Sequence, residues 1–289
     1  MCQPGAARTG AGSRYGNGRR ATDVAAGSAV PGYIPFMPPV STPAIVLSTL
    51  RYSETSKIVR LATREYGVQS VIAKGALRPK SRFGAALQLL SEGQAQFVLK
   101  EQRELHLLTS FDLRRLHVGL ATQLERYAVA CALGEVMLRF APPDPHPDSF
   151  DLLLHALEEL EVAPLSSVEA LGYRLLWQMV SVLGFEPSLD ACVIDGTPLP
   201  ESGPLPFSTH EGGALCPVCA VQHGATQLPE QARADLEALM DPGIALPVLD
   251  AKHGAAHRRL LARYIRYHLG EGAELPALEF WTQRPWVAA

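Results

Sequence analysis

The strongest constraint on how this chain can fold is a change of hydrophobic period near residue 119. Before it, apolar residues come in short β-branched runs: AIVLSTLR (44–51), KIVRLATR (57–64) and VQSVIAK (68–74), parted by the turn-like SET and EYG. ALQLL (86–90) follows Gly84. QAQFVLK, opened by Gly93, then alternates Gln94 and Gln96 with Ala95, Phe97 and Leu99 at period two. LHLLTSFDL (105–113) comes after a charged EQRE turn. Five or six short strands within about 70 residues predict a small antiparallel barrel.

After Gly119 the steps become helical. Leu120, Leu124, Tyr127, Ala128, Cys131 and Leu138 recur mostly three and four residues apart, until PPDPHPD (142–148) breaks the helix. A second helix is expected near 148–161. Ser166 and Glu169 read as a capping box ahead of VEALGYRLLWQMVSVLG, which stops at Gly184. A loop-rich insert spans about 186–226. LPEQARADLEALM (228–240) and HGAAHRRLLARYIRYHL (253–269) are two further helices, and the tail from Gly270 reads as irregular. Residues 1–40, rich in Gly, Ala, Ser and Arg, have no apolar period and read as a disordered basic arm. The fold class is therefore α+β: arm 1–40, barrel 41–118, and helical domain 119–289 interrupted by a Cys-containing loop. A hydrophobic share of 47% over 289 residues can fill such cores.

Charge separates along the same lines. Residues 41–120 hold twelve Lys/Arg against six acids, and residues 1–40 hold four Arg against one Asp. The whole chain carries only -3, so the remainder is strongly acidic. A basic front of this kind suits a polyanionic partner. The densest cations lie in KGALRPKSRF (74–83), where Lys74, Arg78, Lys80 and Arg82 fall within nine residues, shaped by Gly75, Pro79 and Gly84. With Phe83 as a stacking platform, such a loop beside a barrel suits single-stranded nucleic acid. A merely solvated basic loop is the plainer alternative.

The five cysteines are unevenly spaced, which argues against a secreted disulfide framework. Cys216-Pro217-Val218-Cys219 is a CxxC knuckle. Twenty-four positions before it stands Cys192-Val193-Ile194-Asp195, with Asp195 where a second pair would place a Cys. Tetrahedral zinc takes four N, S or O donors. Either Cys192, Asp195, Cys216 and Cys219 hold zinc, with His210 or His223 as substitutes for the aspartate, or the ribbon folds without metal. His253 and His257 lack the Glu of a metalloprotease motif. Arg259, Arg263 and Arg266 are spaced four and three apart, so they share a helix face; Leu260, Leu261, Tyr264 and Ile265 supply apolar surface on the same helix. No P-loop, nucleophile elbow or kinase motif set is present, so no nucleotide cofactor is expected and the chain does not read as an enzyme. No apolar run reaches the roughly 18 residues of a membrane span, and the cytoplasm is the expected compartment.

STLRYSETSKIVRLATREYG (48–67) and IAKGALRPKSRFGAALQLLS (72–91) resemble the N-terminal barrel of the RecO family. The helices that follow, with LGFEPSLDACV and GGALCPVCA (183–220), resemble that family's helical domain and its zinc-ribbon-like insert. The resemblance covers about 43–270. It implies an OB-fold barrel that binds single- and double-stranded DNA and anneals complementary strands. It also implies assembly with RecR, contact with the C-terminal tail of single-strand-binding protein, and help in loading RecA at the nucleoid. Family DNA contacts would fall on Lys57, Lys74, Arg78, Lys80 and Arg82. Many members carry four cysteines in the insert, a pattern from which Asp195 departs. The tail's acids and terminal aromatic ring would meet the helix at 253–269, on Arg259, Arg263 and Arg266. A second reading is a protein–protein adaptor in which the helical domain does the essential work.

Overall fold

The computed structural model describes residues 38–99, 103–142, 144–270 and 272–284. The basic arm expected over 1–40 lies, but for its last three residues, outside them. Five strands follow: β1 (Val40–Arg51), β2 (Lys57–Thr63), β3 (Gly67–Ala73), β4 (Glu92–Val98) and β5 (Leu105–Arg115). They close a barrel in the order β1-β2-β3-β5-β4, antiparallel throughout except for β3 with β5. This is the closure of a five-stranded OB-type barrel. Its interior is filled by Val46, Val59, Leu61, Val71, Phe97, Leu108 and Phe111.

Residues 86–90, expected as a strand, are instead turns within a long irregular cap over 74–91. The cap serves two cores at once. Ala76, Phe83 and Leu87 join the barrel interior, whereas Leu90, at φ 64, joins the helical core. A regular strand could not send these side chains to two separate cores. The second departure is in β1, where pairing with β2 shifts between Val46 and Ser48. Leu47 is the extra residue of this bulge. Val46 points into the barrel, while Ile45 and Leu47 point out and are buried against helices.

Helix α1 (Val118–Ala121) leads into α2 (Leu124–Phe140), α3 (Pro147–Val162) and, after a 3₁₀ turn at 165–167, α4 (Val168–Val182). The insert holds β6 (Leu205–Ser208), β7 (Gly213–Ala214), α5 (Pro217–Gln222) and β8 (Thr226–Leu228), forming a small sheet in the order β7-β6-β8. Then come α6 (Glu230–Met240), α7 (Ala251–His268) and α8 (Pro276–Gln283). Helix α4 is the centre, with Tyr173, Leu176, Trp177, Met179 and Val180 almost wholly buried. The Ser166–Glu169 capping box does not form. Ser167 occupies the cap position, and Glu169 turns to Tyr173, Arg258 and Arg284. The tail expected to be irregular contains α8, whose N-terminal amides at Ala277 and Leu278 donate to the Glu135 carboxylate at 3.2 and 2.9 Å. Pro276 at its first position and the buried pair Leu278 and Trp281 were the signal for it.

Barrel and helices meet at a polar node beside the apolar seam. Glu161, at the end of α3, accepts from Gly119 N–H at 2.9 Å, lies 3.3 Å from His117 Nδ1, and pairs with Arg115 at 3.0 Å. A Cβ on Gly119 would sit 2.5 Å from Glu161 Cγ, so the contact requires glycine. Burial pushes the Glu161 carboxyl up, but the Gly119 amide, Arg115 and His117 outweigh it and hold the group below its ordinary 4.5. A depressed carboxyl contributes stability above its unfolded pKa and loses it as pH falls through the folded value. Glu161→Gln keeps an acceptor but removes the charge. We expect it to cost about 1 kcal/mol at pH 7, and to flatten the loss of stability as pH falls below the ordinary 4.5 of the carboxyl, read from urea midpoints at neutral pH and at a pH below that value. A midpoint that still falls as steeply as in the parent chain would place the acid sensitivity elsewhere.

Candidate nucleic-acid interface, metal centre and groove

The cap over 74–91 is wound from consecutive tight turns. Arg78, Ser81 and Gly84 N–H groups donate to carbonyls three residues back, and Gly75 takes φ 74. Apolar side chains in this winding point down into the barrel, which leaves the cations outside. Lys74, Arg78, Lys80 and Arg82 are all exposed, and none makes an ion pair among the described residues. Lys57 differs: it is half-buried, and its ammonium donates to Leu87 O at 3.4 Å, tying the cap to β2. The stacking role expected of Phe83 is overturned. Its ring is only 2% exposed within the barrel core, and the Arg82 guanidinium lies over it at 5.0 Å. The open end of the barrel needs an apolar plug, and Phe83 is the largest side chain the cap can supply.

The insert brings its four expected donors together. The Sγ atoms of Cys192, Cys216 and Cys219 and a carboxylate oxygen of Asp195 all lie within 4.8 Å of one another. Pro217 starts α5, and Cys216 Sγ accepts the Cys219 N–H at its first turn at 3.4 Å. Asp195 is aimed by the Thr197 amide at 3.0 Å, and both Cys216 and Cys219 lie 3.4 Å from its Oδ2. The Thr197 amide holds the Asp195 carboxyl well below the carboxylate range. Burial, with Cys216 and Asp195 alongside, pushes the Cys219 thiol up to about 12. Burial also opposes ionisation of Cys192, yet backbone amides of Cys216, Asp195 and Ile194 bring that thiol below its ordinary value. Three thiols and a carboxylate packed this closely can ionise together only around a cation, and the set matches the donor chemistry of a closed metal site. His210 and His223 are not in it: both Nδ1 atoms go to Glu211 Oε1, at 2.9 and 3.0 Å.

A groove of about 620 Å³ runs between the insert and α7. Phe207, Leu228, Leu260 and Tyr267 line it, and Lys252, Arg259 and Arg263 stand at its rim. Arg259 and Arg263 are exposed and make no ion pair among the described residues. The structure separates Arg266 from them: it is exposed but outside the groove. Of the apolar residues expected as surface on this helix, only Leu260 reaches the groove. Leu261, Tyr264 and Ile265 are buried in the helical core, where Tyr264 Oη donates to Phe185 O at 3.0 Å. Lys252 was missed by sequence reasoning, which weighed His257 only against a metalloprotease motif. His257 lines the groove at 3% exposure, with neither ring nitrogen hydrogen-bonded among the described residues; burial holds it below its ordinary value against Asp235, 3.7 Å away. Lys252 was legible as a further cation just ahead of HGAAH; the HGAAH spacing drew attention to His257, but nothing in the sequence placed it in a groove. Among the described residues no helix is long and apolar enough to cross a membrane.

Comparison with known proteins matches residues 37–117 to the model for recombination protein O N terminal and residues 121–276 to that for recombination protein O C terminal. The DNA repair protein RecO of Anaeromyxobacter dehalogenans strain 2CP-C is 32% identical over 236 residues, covering 80% of this chain and 92% of the relative. The DNA repair protein RecO of Pelobacter propionicus is 31% identical over 248 residues, covering 86% and 98%. That of Symbiobacterium thermophilum is 33% identical over 226 residues, covering 76% and 88%.

Proposed function

The chain belongs to the RecO family of DNA repair proteins, and on that footing we propose that it is a non-enzymatic mediator of homologous recombination. In this reading it binds single- and double-stranded DNA, anneals complementary strands, and helps RecR load RecA onto DNA coated with single-strand-binding protein. It works in the cytoplasm, at the nucleoid. The observation that carries the reading is the set of four exposed cations on the barrel cap, Lys74, Arg78, Lys80 and Arg82, which make no ion pair among the described residues. Each can neutralise a phosphate and release its condensed counterion, which favours binding without regard to sequence. Sequence-independent binding is what annealing of arbitrary strands requires. The acidic remainder of the chain keeps DNA off the helical domain.

That leaves the groove for a protein partner. Its apolar floor suits a terminal aromatic ring, and Arg259, Arg263 and Lys252 suit acids and a terminal carboxylate, the chemistry of the single-strand-binding protein tail. The same groove supports the second reading, an adaptor for which DNA contact is incidental. Cys192, Asp195, Cys216 and Cys219 fit one zinc ion. Zinc would supply a structural crosslink between the two segments of the insert and contribute folding energy there.

Binding of a labelled single strand across a salt series tests the DNA reading. We expect log affinity to fall with log salt by roughly 0.7 per neutralised phosphate, and replacing Lys80 and Arg82 by Ala to flatten that slope by roughly 1 to 1.5. An unchanged slope moves the contact elsewhere on the chain. Protein purified without chelator should carry near-stoichiometric zinc by elemental analysis, and Cys219→Ser should lose it; metal-free protein with full thermal stability rejects the metal site. Charge reversal at Arg259 and Arg263 should weaken a tail peptide at least about tenfold, as expected for charge-assisted pairs, while leaving naked single strands bound. Joint loss of both activities would make the helix a DNA surface or a structural element.

A further inference from the structure

The outer face of β1, β2 and β3 has two unlike halves. One half, with Ile45, Leu47 and Ala62, is buried against the helical domain. On the other, Leu50, Ile58 and Ile72 stand in register across the three strands. Their partners in the alternation, Val59 and Val71, fill the barrel interior, so this row points outward. Leu50 is 66% exposed, and Ile58 and Ile72 are half-buried.

The next outward row is Ser48, Arg60 and Ser70. Arg60 is half-buried, its Nε has no hydrogen-bond partner, and it makes no ion pair among the described residues. Beyond the apolar row lies the β1–β2 hairpin, closed by Tyr52 N–H on Ser56 O at 3.0 Å and joined to the basic cap by Leu77 N–H on Thr55 O at 3.0 Å. Tyr52 is 59% exposed, and among the described barrel residues it is the one exposed aromatic. Residues 50–60 and 74–84 together hold seven Lys/Arg and a single acid, Glu54.

We propose that this half-face is the track for single-stranded DNA and that Tyr52 is its base-stacking residue. The proposal rests on the DNA-binding reading above and supplies what that reading lacked once Phe83 proved buried. OB-type barrels take oligonucleotides across strands two and three and the first hairpin loop. Here that region offers an aromatic ring, an apolar row for the next bases, and the Arg60 guanidinium, without an ion pair among the described residues. An apolar protein partner would not need a cation left without a counter-charge. Stacking requires unpaired bases, so Tyr52 makes the face selective for single strands. The cap cations, which read only phosphate, accept either form. During annealing, bases that pair leave the ring, and the product is held by the cap alone.

The test compares the parent chain with Tyr52→Ala and Tyr52→Phe. Each is titrated with a labelled oligothymidine, the same strand carrying abasic residues, and a duplex of equal length. We expect Tyr52→Ala to lose about tenfold on the oligothymidine, with the salt slope and the duplex affinity unchanged. Tyr52→Phe should keep the parent affinity, and the abasic strand should bind the parent chain and Tyr52→Ala alike. If both variants bind oligothymidine as the parent does, while the Lys80 and Arg82 replacements weaken it, the strand passes elsewhere and the proposal fails. Equal loss on strand and duplex makes Tyr52 a structural residue and also overturns it. If Tyr52→Ala keeps its DNA affinity but loses RecR in a pull-down, the face belongs to a protein. No DNA binding by the parent chain fails the underlying reading instead.

Discussion

Ile45, the bulged Leu47, Ala62 and Leu90 leave the barrel surface and enter the core of the helical domain beside α2. Gly134 on α2 permits the approach, since a Cβ there would stand 3.3 Å from Leu90 and 3.8 Å from Leu47. Burying a Leu- or Ile-sized side chain stabilises by about 1.5–3 kcal/mol. The exposed ion pairs that also cross this boundary, Arg64 with Asp151 and Arg115 with Glu158, are screened by solvent and contribute little beside that burial. Apolar burial therefore fixes the barrel on the helices, and the ion pairs trim its orientation.

The rest of the molecule inherits this arrangement. Half of the outer barrel face is consumed, so only the half carrying Leu50, Ile58 and Ile72 stays open to a ligand. The cap must reach from Leu87 in one core to Leu90 in the other, and its polar residues are left outside. Lys74, Arg78, Lys80 and Arg82 thus gather at one end of the barrel because their apolar neighbours are committed elsewhere. On the far side, α4 organises the helices, and α7 offers it Leu261, Tyr264 and Ile265. The opposite face of α7 retains Arg259 and Arg263 for the groove.

Much of the site was readable from residue types and spacing. CxxC with Cys192 and Asp195 at matched offsets named four residues that the fold brings together, because such clusters depend on short local turns that sequence specifies. The cations of KGALRPKSRF were readable as an exposed cluster, since no barrel core accepts four charges. Phe83 was misjudged because an aromatic ring on a loop can face either way, and only the size of the barrel opening decides. Arg259, Arg263 and Arg266 share a helix stripe in projection. Only Arg259 and Arg263 of that stripe line the groove against the insert, and Arg266 lies outside it.

The sequence by itself determined the order of elements, the change from strand to helix near residue 119, the charge division and the three cysteines of the insert's cluster. All of these are carried by local period and composition. Tertiary structure alone decided where the alternation breaks at Leu47, where Leu90 goes, that α8 docks on Glu135, and which outward rows stay bare. The reason is physical. A side chain's period states which residues share a face, but burial depends on what distant segment arrives to cover that face.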